Sequence, residues 1–465
     1  MSDLVIANCA IEAVAGLDIR IESGLIAEIG HNLRRSNDDV LDSEGNDIIP
    51  GLCDHHIHLH ALAARRVSVD CGPPFVRSST ELAAALNDSP GINGWVRGVG
   101  YFESVSGELD RERLDRLHYA RPVRIQHRSG ALWILNTAGI EVTGLDQANH
   151  PGIERDSAGC PTGRIWRADA WLRDRIPGNT PPSLKAVGSE LAALGITSVT
   201  DATPDLDVDG ITSIADAMSK GDLPQRVHLL GAPVSSPSAL EDVSGWSTQS
   251  TSARLTIGPY KIVLADSGLP DLDELARTIT ECHRVGRAIA AHSVSRETLL
   301  ILLAVLNEVG SLPGDRIEHG ALIPAASIEE IRRLGLTVVT QPGFIADHGD
   351  DYLEHVDHAD QQDLYRCQSL IDASVPIAFS SDAPYGPLDP WTVIAAAQHR
   401  RTPNGIVLGG NETVNAARAL DAYLSRSDDP GGPARRVQVG APADLVLVSG
   451  SRRALATIIG GRQVH

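Results

Sequence analysis

The stretch "IIPGLCDHHIHLH", residues 48–60, packs four histidines and one aspartate into a few positions. Ile48 and Ile49 are β-branched and Pro50-Gly51 is a turn pair, so a strand is expected to restart at Leu52. Strand side chains alternate faces, which puts Asp54, His56 and His58 on one side and His55 and Ile57 on the other. Two imidazoles two residues apart can both reach one cation. The plain alternative is a pair of hydrogen-bonded histidines, so any further ligands have to come from elsewhere in the chain.

Stepping along the sequence, short apolar runs recur at 48–58, 196–202, 226–232, 257–266, 288–294, 316–323, 337–343 and 375–383. Helix-like stretches such as 271–286 and 295–309 lie between them. Eight strands in a β-then-α rhythm predict an α/β chain of the (β/α)8 TIM-barrel type. Chemistry in such a barrel sits at the C-terminal ends of the strands. There the first strand presents His56 and His58, the fourth Lys261, the fifth His292, the sixth His319 and the eighth Asp382. Taken singly, His292 reads as a core histidine, His319 as a strand end and Asp382 as a turn residue or N-cap. Four histidines and an aspartate all at predicted strand ends point instead to a metal site.

Lys261 bears on the number of metals. Only Lys185, Lys220 and Lys261 are lysines; every other basic residue is arginine. Lys261 sits in "GPYKIVLAD", followed by Ile262, Val263 and Leu264, where a bare ammonium beside cations would be costly. A carbamate formed from CO2 is negative, has two oxygens and can bridge two metals. The competing reading has Lys261 reaching solvent, or paired with Glu318 or Asp266.

The chain ends look different from the middle. Alternating runs "DLVIANC", "LDIRIES" and "LIAEIG" near the start, and "VQVGAPADLVLVSG" with "ALATIIGGRQVH" at the end, predict one small β-domain built from both termini, residues 1–50 and 434–465. The barrel would then cover 51–433, with an insertion over about 66–190 after its first strand, too long for a simple connection.

Composition sets limits. The net charge of −20 argues against a nucleic-acid or anionic-membrane partner. The first residues, "MSDLVIANC", lack the basic start of a signal peptide, and no apolar run reaches membrane-spanning length. The six cysteines, Cys9, Cys53, Cys71, Cys160, Cys282 and Cys367, are scattered with no C-x-x-C pair. This fits a reduced cytoplasmic chain rather than a disulfide framework or a thiolate zinc site. The expected partner is a small-molecule substrate, with a homodimer left open.

Together, "PGLCDHHIH", "YKIVLAD", "AAHSV", "RIEHG" and "SSDAP" resemble the amidohydrolase superfamily. "VQVGAPADLVLVSG" is similar to the closing strands of that superfamily's small β-sandwich. "RPVRIQHRSGALWILNT", "DSAGCPTG", "GITSVTDA", "QPGFIADHGDD" and "LDPWTVIAAAQHR" resemble the YtcJ-like, amidohydrolase-3 branch, which includes N-substituted formamide deformylases. The resemblance spans essentially the whole chain. It departs at Gly130-Ala131, where branch members usually carry Gly-His, and at "HSVSR", where they often read H-A-I-G-D.

The resemblance implies a metal-dependent hydrolase of non-peptide C–N bonds (amide, formamide or cyclic amide). His56 and His58 would bind the buried metal with Asp382, His292 and His319 the second, and carbamylated Lys261 would lie between them. A metal-activated hydroxide would attack, with Asp382 moving the proton. Asp54 reads as a supporting carboxylate rather than a ligand. Two zinc ions are the default for imidazole-rich ligation, although iron, manganese or cobalt would suit the same residues. One alternative is a mononuclear-metal deaminase acting on an amino-substituted ring; another is a metal-free barrel that only binds. Candidate substrate contacts are His127, as a stand-in for the missing family histidine, Arg128 and Trp133 in the insertion, and Gln341 and His348 after the seventh strand. Equally, the insertion's aromatics could simply be its core.

Overall fold

A computed structural model describes residues 4–36, 38–177, 181–234, 254–264 and 271–465. The chain divides into two compact units, residues 1–59 with 183–465, and residues 60–182.

In the first unit, the two ends of the chain share one sheet. Its strands run in the order Arg462–Gln463, Ala454–Ile459, Leu445–Val448, Asp47–Pro50, Leu4–Ile11, Val14–Glu22 and Leu25–Gly30, with Asp39–Asp42 also paired to Leu4–Ile11. The hairpin between Leu4–Ile11 and Val14–Glu22 turns at Glu12 and Ala13, both at positive φ, as a tight two-residue connection requires. Alternation does the rest. Ile6, Ile19, Ile21, Ile26, Leu445, Leu447 and Ile458 are buried together in one cluster.

All the remaining strands of this unit are parallel. Four of them, Leu52–Ile57, Ile196–Asp201, Arg226–Leu229 and Leu255–Ile257, form one sheet. Five more, Tyr260–Val263, Ile289–Ser293, Arg316–His319, Thr337–Thr340 and Ile377–Phe379, form a second. Backbone hydrogen bonds link the two sheets at both edges. On one side Lys261 N–H donates to Leu230 O (3.1 Å). On the other, Asp382 N–H donates to His56 O (2.8 Å) and His58 N–H to Ala383 O (2.9 Å).

Two expected strands are in fact broken, each at a glycine. The 48–58 run splits at Gly51, so that Asp47–Pro50 joins the chain-end sheet while Leu52–Ile57 enters the parallel one. A Cβ on Gly51 would lie 2.1 Å from Thr197 Oγ1, which only glycine avoids. The 257–266 run breaks at Gly258-Pro259 because a Cβ at Gly258 would lie 2.2 Å from His228 Nε2 and Pro259 has no N–H to give the ladder. The last two positions of that expected strand, 265 and 266, lie outside the described residues, and with them the possible Lys261–Asp266 pair.

Helices pack on the parallel strands. Leu272–Arg284 begins where Asp271 accepts from Glu274 N–H, and Arg296–Val309 where Ser295 accepts from Thr298 N–H. Leu275, Ile279, Leu299, Leu302 and Leu306 from these helices meet Ile289, Ile317 and Val338 from the sheet in one buried cluster. The helices expected over 271–286 and 295–309 agree with those observed to within two residues at each end, as 3.6-residue patterning allows.

The second unit holds its own six-stranded sheet, in the order Ile153–Arg155, Pro161–Trp166, Leu132–Leu135, Val123–His127, Val96–Tyr101 and Val69–Asp70. It has its own apolar clusters, one around Leu82, Val96, Val123 and Ile125 and another around Trp95, Trp133, Leu135 and Ile165. Among the described residues no helix is long and apolar enough to cross a membrane.

Candidate active site

Six side chains from five strands come together. His56 and His58 stand at the end of Leu52–Ile57, with ring centroids 5.3 Å apart. His319 closes Arg316–His319, 4.7 Å from the His56 ring and 4.4 Å from the ring of His292, on Ile289–Ser293. Lys261 Nζ lies 3.5 Å from His56 Nε2. Asp382 Oδ1 lies 3.2 Å from His58 Nε2 and 3.5 Å from His56 Nε2, and Oδ2 lies 3.8 Å from His319 Nδ1. One ligand atom each from His56, His319 and Asp382 falls within 4.8 Å of the others.

Two of these residues hold unusual backbones. His319 (φ 71°) and Asp382 (φ 54°) both occupy the left-handed region. Non-glycine residues there cost on the order of 1 kcal/mol and cluster at functional sites. Asp54 helps to hold Asp382 in place. It is buried and accepts from Ser381 N–H (3.1 Å), Ser381 Oγ–H and His56 N–H (3.2 Å), while Ser381 Oγ in turn accepts from Ala383 N–H (2.9 Å). Burial, only partly offset by those hydrogen bonds, pushes the Asp54 carboxyl up to about 7.

Burial also decides the charge of the imidazoles. It drives His56 and His319 well below their ordinary 6.5, reinforced for His56 first by Lys261 and for His319 first by His56. His292 falls to about 4, through burial and then the Lys261 charge. These rings are therefore neutral at pH 7, the form in which imidazole binds a metal. Burial lowers Lys261 to about 8 against the opposing charges of Glu318 and Asp382.

The tautomers follow from the outer partners. His56 Nδ1 meets the Glu318 carboxylate, which can only accept, so His56 Nε2 carries the lone pair. His319 Nδ1 lies 3.0 Å from Gln341 Oε1, and His58 Nδ1 3.5 Å from Thr203 Oγ1. The lone pair on His56 Nε2 thus faces Asp382 Oδ1, a buried oxygen without a hydrogen-bond partner, with His58 Nε2 beside it. Facing acceptors repel, and a cation between them removes the repulsion. The donor set therefore fits divalent metal.

The other expected contacts are placed as follows. Gln341 is buried, with one end of its amide on His319 and the other donating to Ser380 Oγ (2.9 Å). His348 lies on the Gly343–His355 helix, stacked on Phe344, with Nε2 3.4 Å from the carbonyl oxygen of Tyr385. His127, Arg128 and Trp133 belong to the 60–182 unit. There His127 Nε2 lies 3.1 Å from Glu103, Arg128 sits 3.6 Å over the Phe102 ring, and Trp133 is buried under Arg97 and Arg124.

Several supporting residues escaped the sequence reading. Glu318 was considered only as a partner for Lys261, yet it meets His56 and Arg316. Asp201 caps the turn after His58, accepting from Leu59 N–H (2.9 Å) and Thr203 N–H (3.0 Å). A signal existed for both. Arg316 and Glu318 form an opposite-charge i, i+2 pair in an otherwise apolar run, and Asp201 closes the apolar "ITSVTD".

An amidohydrolase family profile matches residues 39–465. The chain belongs to the amidohydrolase family, in its amidohydrolase-3, YtcJ-like branch, and is an enzyme hydrolysing carbon–nitrogen bonds other than peptide bonds. It is 24% identical to an N-substituted formamide deformylase of Arthrobacter pascens, over 96% of this chain and 93% of that protein. It is also 24% identical to the amidohydrolase YtcJ of Bacillus subtilis, over 82% and 79% of the two chains. A crystal structure of an uncharacterized metal-dependent hydrolase from Pyrococcus horikoshii superposes with a TM-score of 0.77 at 21% identity, covering both chains in full. That likeness gives the fold as α/β of TIM-barrel type.

Proposed function

We propose that residues 51–433 form a closed (β/α)8 barrel carrying a two-metal hydrolytic site, with the 1–50 and 434–465 segments as a β-sandwich domain and about 66–190 as an insertion. The hydrogen bonds that join the two parallel sheets at both edges support closure. His56 and His58 with Asp382 would hold one divalent cation, and His292 with His319 the other. A carbamate on Lys261 would lie between them. Carbamylation joins CO2 to the neutral amine, forming one N–C bond and releasing one proton, and a lysine lowered to about 8 offers neutral amine near physiological pH.

Bound there, divalent cations lower the pKa of water from about 15.7 towards 7 and polarise a carbonyl. Asp382 Oδ1 would take the proton of the attacking water and pass it to the leaving nitrogen as the C–N bond breaks. Neutral imidazoles at His56, His292 and His319 would stay free to ligate across the neutral range. Gln341 and Thr203 would hold the His319 and His58 rings in place. The observation that carries the reading is the convergence of His56 Nε2 and His58 Nε2 on Asp382 Oδ1, a buried oxygen without a hydrogen-bond partner.

Zinc is the first choice for this imidazole-rich set, with iron, manganese and cobalt also suited. The relative named as an N-substituted formamide deformylase puts N-formyl amines first among substrates to test, ahead of N-acyl amines, cyclic amides and aminopurines. The test is elemental analysis coupled to that substrate panel. Two metals per chain with C–N hydrolysis is the expected result. Lys261→Ala should lose metal and activity, with partial rescue by short carboxylic acids; full activity in that variant would end the bridging role. One observation favours a second reading. His56, His319 and Asp382 alone make a compact single-ion set, as a mononuclear deaminase would need. One metal per chain, an unmodified Lys261 and turnover of aminopurines would select it.

A further inference from the structure

Below the metal-facing edge of His56, a buried ionic pair is aimed at the wrong side of the ring for metal binding. Glu318 is fully buried and divides its two oxygens between different donors. Oε2 meets His56 Nδ1, and Oε1 accepts from Arg316 Nε, two residues earlier on the same strand. Arg316 is itself 1% exposed, and its Nη1 and Nη2 have no hydrogen-bond partner. A buried charged pair so incompletely satisfied is a poor device for stability, because the desolvation of both ions is only partly repaid. Replacing both members with apolar groups would commonly be neutral or stabilising, so the pair needs a reason other than cohesion.

We infer that Glu318 is a positioning residue that fixes His56 as the Nδ1–H tautomer and so presents Nε2 to the metal site, while Arg316 anchors the carboxylate. The inference rests on the metal reading above. A carboxylate has no proton to give, so His56 must donate from Nδ1. Its Nε2 is then left as a lone pair, facing Asp382 Oδ1 and Lys261 Nζ, both at 3.5 Å. The same contact sets the ring plane, since an imidazole held at Nδ1 cannot turn without leaving its acceptor. Arg316 matters because a carboxylate held at one oxygen only could rotate away from the ring. The paired register of the sheet contributes as well. Glu318 is the direct neighbour of His292 across the strands, which keeps its strand in register with the one that carries that ring.

Glu318→Gln separates this role from mere filling of space. The amide has the same shape but one acceptor and one donor, and cannot accept from both Arg316 and His56. If its oxygen stays on Arg316, its NH2 faces His56 and forces the proton to Nε2, which blocks ligation. The measurement is zinc(II) affinity and stoichiometry by chelator competition, for the full-length wild-type chain and the variant. The expected result is a 10- to 100-fold weaker zinc affinity in Glu318→Gln, the usual cost of losing such an outer partner, with kcat falling and KM little changed. Equal zinc affinity in the two proteins would overturn the role. A wild-type measurement covers the case in which the variant fails to fold. In 15N-histidine NMR of the metal-free wild type, with His56 assigned by its loss in His56→Gln, the proton is expected on Nδ1. A proton on Nε2 would overturn the inference. A wild-type chain with this tautomer that takes up no zinc would instead sink the metal reading, and leave the orienting contact standing.

Discussion

Two buried ionic clusters in the same unit make an instructive contrast. Around Arg366, every charged group is answered. Its Nε donates to Ile323 O (2.7 Å), Nη1 to Glu412 Oε1 (2.6 Å) and Ser369 Oγ (3.2 Å), and Nη2 to Asp363. Glu412 Oε2 also accepts from Cys367 N–H (3.0 Å) and Ser369 N–H (2.9 Å). Burial alone would raise the Glu412 pKa, but the Ser369 hydrogen bonds and the Arg366 charge outweigh it, and it ends below its ordinary value. Around Asp382 the balance is reversed. Acceptors converge, Asp382 Oδ1 has no hydrogen bond, and Arg316 has two nitrogens without partners. The first cluster is complete as protein. The second leaves an acceptor and two donors unanswered. Buried charge by itself therefore distinguishes nothing; the presence or absence of matched donors does.

The strongest way to break this contrast is to exchange the consequences of mutation. Asp382→Asn should cut kcat/KM by about 10³-fold or more, as loss of a proton-transfer group does. It should leave the melting temperature of the metal-free protein unchanged or raised, because an amide can donate to the facing imidazoles and tolerates a left-handed backbone. A variant that melts well below wild type would place Asp382 in the cohesive class with Glu412. Conversely, Glu412→Ala should destabilise by about 3–5 kcal/mol, since it strands a buried arginine and two amides. Turnover per folded molecule should survive, as judged by denaturant unfolding alongside activity normalised to the folded fraction.

A finer distinction comes from pH. Burial pushes His55 and His228 down to about 3, far below the 6.5 of an unfolded chain. Between those values the unfolded state binds more protons, so the stability from burying neutral rings is present above pH 6.5 and lost as pH falls. Going from pH 7 to 5, each ring removes about 2 kcal/mol. Asp54, raised to about 7, has the opposite sign and returns about as much as one ring removes. The metal-free chain should therefore lose stability over that interval, by more than these three groups account for, because His56, His292 and His319 are lowered in the same direction. His228→Gln should reduce the loss by about 2 kcal/mol, the share of one ring; an unaltered slope of the denaturation midpoint would show that this ring is not a source.

Much of the site was readable without coordinates, because its residues close apolar runs. An ionisable group at the end of a β-branched strand, as in "AIAAHS" or "RIEH", is conspicuous against its neighbours. Supporting contacts were harder to see, since they depend on register. Glu318 and His56 are 262 positions apart, and only the closing of the sheets brings carboxylate to ring. Asp54 shows the intermediate case: alternation put it beside His56, but its grip on Ser381 could not be foreseen from one strand. The break at Gly51 is signalled by the Pro50-Gly51 turn pair, whereas the one at Gly258 depends on His228, a side chain contributed by another strand. In the insertion, His127 and Arg128 find local partners in Glu103 and Phe102, so a cationic or aromatic residue there carried no intrinsic sign of substrate contact.

The sheet shared by the chain ends has a consequence for synthesis. Asp47–Pro50 lies between Leu4–Ile11 and Leu445–Val448, so one of its two neighbours is made about 400 residues after it. At roughly 5–20 residues per second, the nascent edge waits on the order of tens of seconds for its partner. An unpaired edge is a template for the wrong strand, whether from another chain or another ribosome. Chaperone dependence during translation, more than equilibrium stability, is where this architecture is most exposed.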